Sequence, residues 1–448
     1  MDYIKRNVSS FPSAALPELD AELNWWRERS PQSDEVDALL RNTQCFDSGP
    51  PYEERLPSPE EKIVALANCV LVLALSRGAS DVHFEPGETG RVRLRVDGAL
   101  ESMREMPMGV FVPLVNRFKE LGQMALDETR VPQDGRLLLS HQEQRFDLRL
   151  TTCPTTQGES LTMRVLFPGS QPGLEALGLD EEQLARLRAL VKRPHGLVLV
   201  CGPTGSGKGT LFYALLDFLA SDATKIVTVE DPVEAALARV SQTNVSYRAG
   251  ITFASMLRAF LRTDPDIIGV SDVPDLETAE LAVQAGLAGY VVIAQMNVSG
   301  MGAAIRRVVD MGVEPFLVGA SLVGVTTQTL VRRVCPDCAQ AVTPSPSILT
   351  RLEEIGEREG FSLPTDANWK RGAGCAKCRQ TGYRGRLALF EVVSVDDALS
   401  EAIIAGQDAR ELNALARESG AKTLWQAGLE RAARGETTAD ELLRVLAF

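Results

Sequence analysis

Between residues 60 and 167 the hydrophobic positions predict one helix and then a series of strands. The segment EEKIVALANCVLVLALSRGAS, which begins at Glu60, is long and mostly apolar, as expected for a buried helix. Alternation of apolar and polar residues, which is typical of strands with one buried face, follows it. The alternating runs are VHFE, RVRLRVDG, RLLLS, RFDLRL and SLTMRVLF. This pattern predicts an α+β domain that ends near Phe167.

Beyond a linker rich in Pro and Gly (FPGSQPGLEALGLD), continuous apolar runs replace the alternating ones. A helix is predicted over EEQLARLRALVKRP, and buried strands are predicted over GLVLVC, KIVTVE, DIIGV and YVVIAQ. Strands that are buried on both faces and alternate with helices indicate a parallel α/β sheet. The end of the chain, from about Val395 to Phe448, is predicted to be helical.

These changes of pattern divide the chain into five predicted parts. The first is a short head and linker, and the second is the α+β domain. The third is the α/β domain, the fourth a cysteine-containing insertion, and the fifth a helical C-terminal domain. Their predicted bounds are 1–58, 59–168, 169–334, 335–385 and 386–448.

Length and charge limit the class of protein. A chain of 448 residues, 44% of them hydrophobic, is long enough for about two to four domains. The longest apolar stretch, from Val64 to Ser76, is interrupted by Asn68 and is too short to span a membrane. No apolar segment follows the basic residues at the N-terminus, so we expect no secretory signal and a cytoplasmic protein. A net charge of −13 disfavours nucleic acid as the main partner.

A glycine-rich loop lies between a predicted strand and a predicted helix, which is the context of a phosphate-binding loop. Its backbone N–H groups and the helix N-terminus would hold a phosphate, and Lys208 would neutralise it. A chance glycine-rich turn is the alternative. The predicted nucleotide-binding residues are Gly202, Pro203, Thr204, Gly205, Ser206, Gly207, Lys208, Gly209 and Thr210.

Two C-x-x-C pairs, Cys335 with Cys338 and Cys375 with Cys378, predict a metal site. Four thiolates close a tetrahedron around Zn²⁺ and leave no open position, so the predicted role is structural. Free buried cysteines and an iron–sulfur cluster are the alternatives.

Several sequence segments, in the same order along the chain, resemble the motifs of one family, the ATPases of type II secretion and type IV pilus assembly. ASDVHFEP, RVRLRVDG, PQDGR and DLRLTTCPTTQGE resemble its second N-terminal domain. GPTGSGKG resembles its Walker A loop, TVEDPVE its Asp box, and LRTDPDIIGVSDVPDLETAELAVQAGLAGY its Walker B region. DMGVEPFLVGASLVGVTTQTLVRRVCPDC resembles the passage into its zinc domain. The resemblance covers the chain from about Glu60 to the C-terminus.

The resemblance implies an architecture and a function. It implies an α+β sensing domain, a RecA-like P-loop ATPase domain, a four-cysteine zinc insertion and a helical end. It implies a six-membered ring, either a homo-hexamer or a ring mixed with an active paralogue. Members use ATP and Mg²⁺ to drive pilin or pseudopilin polymerisation on platform proteins of the inner membrane. We therefore expect a cytoplasmic protein that reaches the membrane only through these partners.

The resemblance also assigns candidate catalytic residues. Glu230 matches the Asp-box glutamate that positions or deprotonates the attacking water, although an acidic turn after a strand is otherwise usually a solvated loop. Asp272 stands where the family has the Walker B glutamate, and its shorter carboxylate can still hold a magnesium-bound water. Asp264 and Asp266 match the family's DPD, and a polar turn before a strand is an equal alternative.

Arginines of the α+β domain match arginines of the family's sensing domain, some of which reach the nucleotide of a neighbouring subunit. These are Arg136, Arg149 and Arg164, and we predict a catalytic role for Arg136 and Arg149. An arginine on a strand, considered alone, is more often a surface charge.

Three further positions depart from the family. Gly209 replaces the Ser or Thr whose hydroxyl ligates Mg²⁺, and Thr210 lies about 100° further round the helix. Pro274 replaces an arginine, and Asn297 replaces a histidine that carries charge. The sequence is compatible with an active motor or with a weak or inactive paralogue that serves as a nucleotide-binding or structural subunit. A nucleic-acid translocating ring is a third, disfavoured class.

Overall fold

The computed structural model describes residues 21–22, 24–25, 59–141, 144–166, 172–364 and 366–447. The chain forms two compact units that divide between Gly169 and Ser170. Most of the predicted head, and the linker at 167–171, lie outside the described residues. Within the described part of the chain, no helix is both long and apolar enough to cross a membrane.

Between residues 59 and 166, the described part of the first unit contains a six-stranded antiparallel sheet with two helices packed on it. The strand order is β3-β2-β1-β6-β5-β4. The elements are α1 (Pro59–Ser76), β1 (Ala79–Glu85), β2 (Gly90–Val96), β3 (Ala99–Met106), α2 (Met108–Leu121), β4 (Gln133–His141), β5 (Gln144–Thr155) and β6 (Gly158–Leu166). The predicted helix and five predicted strands are all present, and β3 and α2 were not predicted.

The two helices cover one face of this sheet and form a single core with it. Leu66 of α1, Phe84 of β1 and Phe118 of α2 are all fully buried in this core. Lys119 is also fully buried, and its Nζ donates to Glu159 Oε2 at 2.7 Å and to the carbonyl of Glu128 at 2.8 Å. A buried ammonium is tolerated here because it is paired and hydrogen-bonded.

The second unit is built on a seven-stranded sheet of order β15-β12-β7-β11-β10-β8-β9. Six strands, from β12 to β9, are parallel to their neighbours, and β15 is antiparallel to β12. The strands are β7 (Gly196–Cys201), β8 (Ile226–Glu230), β9 (Val240–Asn244), β10 (Ile267–Val270), β11 (Val291–Met296), β12 (Leu322–Val334) and β15 (Tyr383–Ser394).

Helices cover both faces of this sheet. On β7, Leu197, Leu199 and Cys201 enter one apolar core, whereas Val198 and Val200 enter the core on the opposite face. Because neighbouring side chains of a strand point to opposite faces, a strand covered on both sides must be apolar at every position. The continuous apolar run GLVLVC therefore predicted this burial from the sequence.

The second unit also contains eleven helices and a two-stranded sheet among its described residues. The helices are α3 (Glu181–Val191), α4 (Lys208–Leu219), α5 (Phe253–Phe260), α6 (Leu276–Leu287), α7 (Met301–Asp310), α8 (Pro315–Ser321), α9 (Pro346–Glu359), α10 (Asp397–Ile404), α11 (Ala409–Glu418), α12 (Leu424–Ala433) and α13 (Ala439–Leu446). The small sheet pairs β13 (Ala339–Ala341) with β14 (Lys370–Gly372).

Strand β15 returns the chain from the cysteine-containing segment to the large sheet. It pairs with β12 from Gly324↔Ser394 to Val334↔Tyr383. The sequence-based boundary at residue 386 therefore falls inside a strand of that sheet. The apolar run LALFEVV lies in this strand. Four helices follow it between residues 397 and 446, where the sequence predicted a helical end.

Candidate nucleotide site and cysteine cluster

Four parallel strands of the second unit end at the same edge of the sheet, and each leads into a predicted site segment. The glycine-rich loop follows β7, and Glu230 is the last residue of β8. Asp272 lies two residues after β10, and Asn297 follows β11 directly. Ligand sites of open α/β sheets lie outside the carboxyl ends of the strands. The topology therefore brings together segments that are up to about one hundred residues apart.

The glycine-rich loop has the backbone of a phosphate cradle. Gly202 has φ 151° and Gly207 has φ 90°, which are conformations that residues with a side chain rarely adopt. A Cβ on Gly202 would lie only 2.4 Å from the carbonyl oxygen of Gln328. Helix α4 begins at Lys208, so its free N–H groups face the loop. Ser206 Oγ is buried without a hydrogen-bond partner among the described residues, as expected of a group that awaits a ligand.

The side chain of Lys208 is hydrogen-bonded to the backbone of this loop. Its Nζ donates to the carbonyl oxygens of Gly202 at 2.7 Å and Pro203 at 2.9 Å. Burial lowers the pKa of Lys208, and the nearby carboxylate of Asp272 opposes this shift. The ammonium is thus held beside the loop, where it can neutralise a phosphate oxygen.

Glu230 is only 1% exposed, and both of its oxygens accept hydrogen bonds. Oε1 accepts from Thr228 Oγ1 at 2.5 Å and from Gln242 Nε2 at 3.0 Å, and Oε2 accepts from the hydroxyl of Tyr213. Burial and the Glu230 carboxylate raise the pKa of Tyr213, so its hydroxyl stays a donor. The carboxylate is rigidly placed, and its role with the attacking water stays a prediction.

Asp272 lies near the lysine and the asparagine that replaces the family histidine. Its Oδ1 accepts from the N–H of Val273 at 3.0 Å and from Asn297 Nδ2 at 3.4 Å. Burial raises the pKa of Asp272, while Lys208 lowers it and Asp231 raises it. The contact between Asp272 and Asn297 was not predicted, because 25 residues separate them in the sequence.

The first turn of α4 contains Gly209, the departure next to the lysine, and the threonine that follows it. Gly209 and Thr210 are half-buried there. A Cβ built on Gly209 would lie 3.1 Å from Glu234 Oε2, an atom of the Asp-box turn. Pro274 is exposed, in the turn that precedes α6.

Asp264 and Asp266 lie at the opposite edge of the sheet, because they precede β10 whereas the site follows the strands. Asp266 Oδ2 accepts from the N–H of Lys225 at 2.6 Å, and Asp264 has φ 53° in the turn. This placement supports the alternative of a polar turn before the strand.

The three arginines belong to the first unit. Arg136 and Arg149 are register partners in β4 and β5. Arg136 makes a two-pronged ion pair with Asp147, at 2.9 and 2.7 Å. Arg164 Nε donates to Asp81 Oδ1 at 3.0 Å, and Arg149 Nε is buried without a hydrogen-bond partner among the described residues. Their action on a neighbour's nucleotide stays a prediction.

The four predicted metal-binding cysteines form one cluster. Their sulfurs all lie within 4.8 Å of one another, with Cys335 Sγ 3.9 Å from Cys375 Sγ and Cys338 Sγ 3.7 Å from Cys378 Sγ. A tetrahedral zinc with Zn–S bonds of about 2.3 Å places its sulfurs about 3.8 Å apart. The donor set therefore fits Zn²⁺, and the separations are far longer than a disulfide bond.

The small sheet explains how the two pairs meet. Cys338 precedes β13 and Cys375 follows β14, so antiparallel pairing brings them together. The N–H of Ala373 donates to the carbonyl of Cys338 at 2.9 Å. Burial raises the pKa of the Cys378 thiol, but hydrogen bonds from the N–H groups of Cys375 and Gly382 outweigh burial and lower it, whereas burial raises the pKa of the neighbouring Cys338 thiol. A thiolate is the form that binds metal.

The parallel sheet, the glycine-rich loop at the start of α4 and the carboxylates at the same edge define an α/β P-loop ATPase fold. The family model described as "Type II/IV secretion system protein" matches residues 58–444. The chain therefore belongs to the type II/IV secretion system protein family. The resemblance found in the sequence is confirmed.

Three curated relatives are similar over most of this chain. It is 41% identical to the type IV pilus assembly ATPase PilB of Thermus thermophilus, over 87% of this chain and 44% of PilB. It is 42% identical to the type II secretion system protein HxcR of Pseudomonas aeruginosa, over 86% of this chain and 77% of HxcR. It is 40% identical to the type II secretion system ATPase E of Vibrio cholerae, over 88% of this chain and 78% of that protein. The chain thus spans less than half of PilB.

Solved structures share the fold. The ATPase DotB of Yersinia pseudotuberculosis matches with a TM-score of 0.63 at 20% identity, and the match covers 88% of this chain and 96% of the DotB chain. The pilus retraction motor PilT with bound ADP has a TM-score of 0.51 at 22% identity, over 80% of this chain and 94% of PilT. At this level of identity the likeness concerns the fold alone.

Proposed function

We propose that this chain is an ATP-binding motor subunit that powers pilus or pseudopilus assembly in a type II secretion or type IV pilus-like system. The main observation in support is that the glycine-rich loop, Lys208, Glu230 and Asp272 lie at the same edge of the large sheet. Three relatives that are 40–42% identical over 86–88% of this chain are named as ATPases or proteins of these two systems.

Each residue has a distinct task in this proposal. The N–H groups of the loop and Lys208 bind the phosphates of ATP, and the buried Ser206 hydroxyl and the glycine backbone fit that ligand. Asp272 would hold Mg²⁺ through its bound water, and the cation would supply positive charge to neutralise the phosphates. Glu230 orients the attacking water. In a hexameric ring, Arg136 and Arg149 of a neighbouring subunit would complete the site.

Specific observations favour a second candidate, a catalytically weak or inactive subunit of the same machinery. Gly209 has no hydroxyl, and Asn297 donates its amide to Asp272 where the family has a histidine. The loss of one positioned group commonly lowers a rate by about two orders of magnitude. Several such losses leave ATP binding with slow turnover, in a homo-hexamer or in a ring mixed with an active paralogue.

We further propose that the cysteine cluster binds one structural Zn²⁺. We also propose that the protein acts in the cytoplasm, on platform proteins of the inner membrane.

Calorimetric titration with ATP and Mg²⁺, together with phosphate-release assays on the same sample, tests the motor. Binding with steady turnover supports the motor, and binding without turnover supports the weak subunit. The absence of binding would contradict both candidates. Light scattering with and without nucleotide tests the six-membered ring.

A further inference from the structure

A carboxylate from another segment lies against a glycine in the first turn of α4. Gly209 occupies the position after the P-loop lysine, where P-loop ATPases use a Ser or Thr hydroxyl to hold Mg²⁺. Glu234 Oε2 lies 3.1 Å from where the Cβ of residue 209 would be. The carboxylate of another segment therefore stands against the space of the missing side chain.

The segment that carries Glu234 is fixed from two sides. The N–H of Glu234 donates to the hydroxyl of Tyr213 on α4 at 2.8 Å, which ties the Asp-box turn to the P-loop helix. The N–H of Val233 donates to Asn244 Oδ1 at 2.7 Å, and Gln242 Nε2 donates to the carbonyl of Ala235 at 2.9 Å. The position of Glu234 beside Gly209 thus follows from hydrogen bonds on both flanks of the turn.

From this arrangement we infer that Glu234 supplies the oxygen ligand for the nucleotide-bound divalent cation that the missing hydroxyl of residue 209 would have supplied. The inference rests on the proposed binding of ATP and Mg²⁺. Mg²⁺ is commonly bound by one or two carboxylates together with substrate phosphates. Glu234 and Asp272 would be those two carboxylates. This role would explain why residue 209 is a glycine, because a larger residue would compete with Glu234 for the same space.

The exchange of a neutral hydroxyl for a carboxylate has a measurable consequence. Without a divalent cation, the charge of Glu234 would repel the phosphates, and with the cation bound it would attract that cation. Nucleotide binding should therefore depend more strongly on the metal in this chain than in the Glu234→Gln variant. This linkage is a property of binding and does not require turnover.

The test uses the full chain, Mn²⁺ as a paramagnetic probe, and a non-hydrolysable ATP analogue. Free Mn²⁺ is measured by electron paramagnetic resonance during titration of the protein with the analogue present. Loss of even a supporting residue of a metal site typically lowers metal affinity about 10- to 100-fold. We expect Glu234→Gln to weaken Mn²⁺ binding by at least about tenfold, while analogue binding in EDTA is unchanged or tighter.

Two variants make the result specific. Gly209→Thr in the Glu234→Gln background returns a hydroxyl and should restore most of the Mn²⁺ affinity. Asp217→Asn, an exposed position about 12 Å further along α4, makes the same change of charge and should have no effect. The melting temperatures of both variants are compared with that of the wild type, which distinguishes a folding defect from the loss of a metal ligand.

The outcomes separate this inference from the proposed function. If the wild-type chain does not bind the analogue with Mn²⁺, the proposed nucleotide site is wrong. If it binds, and Glu234→Gln holds Mn²⁺ within twofold of wild type, the metal is held without Glu234 and only this inference is overturned. The same conclusion follows if Asp217→Asn weakens Mn²⁺ binding as much as Glu234→Gln does.

Discussion

The candidate nucleotide site and the cysteine cluster of the second unit are assembled in different ways. We call the former the nucleotide edge: the glycine-rich loop with Lys208, Glu230, Asp272 and Asn297, which lie at one edge of the large sheet. The cluster takes its four sulfurs from two C-x-x-C pairs that a two-stranded sheet aligns. The nucleotide edge takes its groups from four strands, and their order in space differs from their order in the sequence. The cluster thus depends on a few local contacts, whereas the nucleotide edge depends on the whole sheet.

This difference also affects tolerance to change. In the cluster all four candidate ligands are present, as a closed tetrahedral site would require. At the nucleotide edge Gly209, Asp272 and Asn297 all differ from the family pattern, yet the backbone of the loop is kept. A site made of several separate contributions can lose some of them and still bind its ligand.

The largest expected effect concerns the cluster. We expect Cys335→Ser, or removal of the metal by a chelator, to lower the melting temperature by about 10 °C, since structural zinc contributes several kcal/mol to folding. Metal analysis should find one zinc per chain in the wild type. Cys153→Ser, at an exposed cysteine outside the cluster, is the control. A wild-type protein that contains no zinc and melts normally would contradict the prediction.

The second effect concerns the lysine of the nucleotide edge. Lys208→Ala should weaken ATP binding about 100-fold, because charge-assisted hydrogen bonds contribute about 1.5–3 kcal/mol each. Calorimetry with Mg²⁺ measures the change. Lys192→Ala, an exposed lysine that lies over the ring of Phe218, is the matched control and should bind ATP normally. Equal affinities of the two variants would exclude Lys208 from the phosphate site.

The third effect concerns the departures from the family. The triple variant Gly209→Thr, Asp272→Glu, Asn297→His should raise ATP turnover about tenfold or more, since each restores a positioned group. The threonine hydroxyl takes over the role inferred for Glu234, because its side chain competes with that carboxylate for the same space. Phosphate release at saturating ATP is the measurement. If turnover does not rise while ATP still binds, the three departures do not explain slow catalysis.

The smallest effect concerns the buried network behind the edge. Tyr213→Phe removes the hydroxyl that donates to Glu230 and accepts from the N–H of Glu234. Leaving buried polar groups without partners should lower the free energy of unfolding by about 1–3 kcal/mol. Urea denaturation measures it, with Tyr247→Phe, at a tyrosine that is 67% exposed, as the control. Equal stabilities of the two variants would show that this network does not support the edge.

The sequence alone determined the local features of this protein. Period-two alternation predicted five strands of the first unit, and continuous apolar runs predicted four parallel strands of the second, because burial of one or both faces dictates which positions are apolar. The glycine pattern predicted the loop, and cysteine spacing predicted the cluster. Strands β3, β9, β12, β13, β14 and β15 were missed. The patterns of β3 and β9 are weakly apolar, and β15 follows a segment that looked like a separate insertion.

Only the tertiary structure decided which of these features meet. It placed Asp264 and Asp266 at the edge away from the loop, although they share a motif with Asp272. It brought Asn297 to Asp272 and Glu234 to Gly209, pairs that no local pattern in the sequence connects. The physical reason is that strand order and direction fix which loops share an edge, and these depend on the packing of the whole sheet rather than on any single segment.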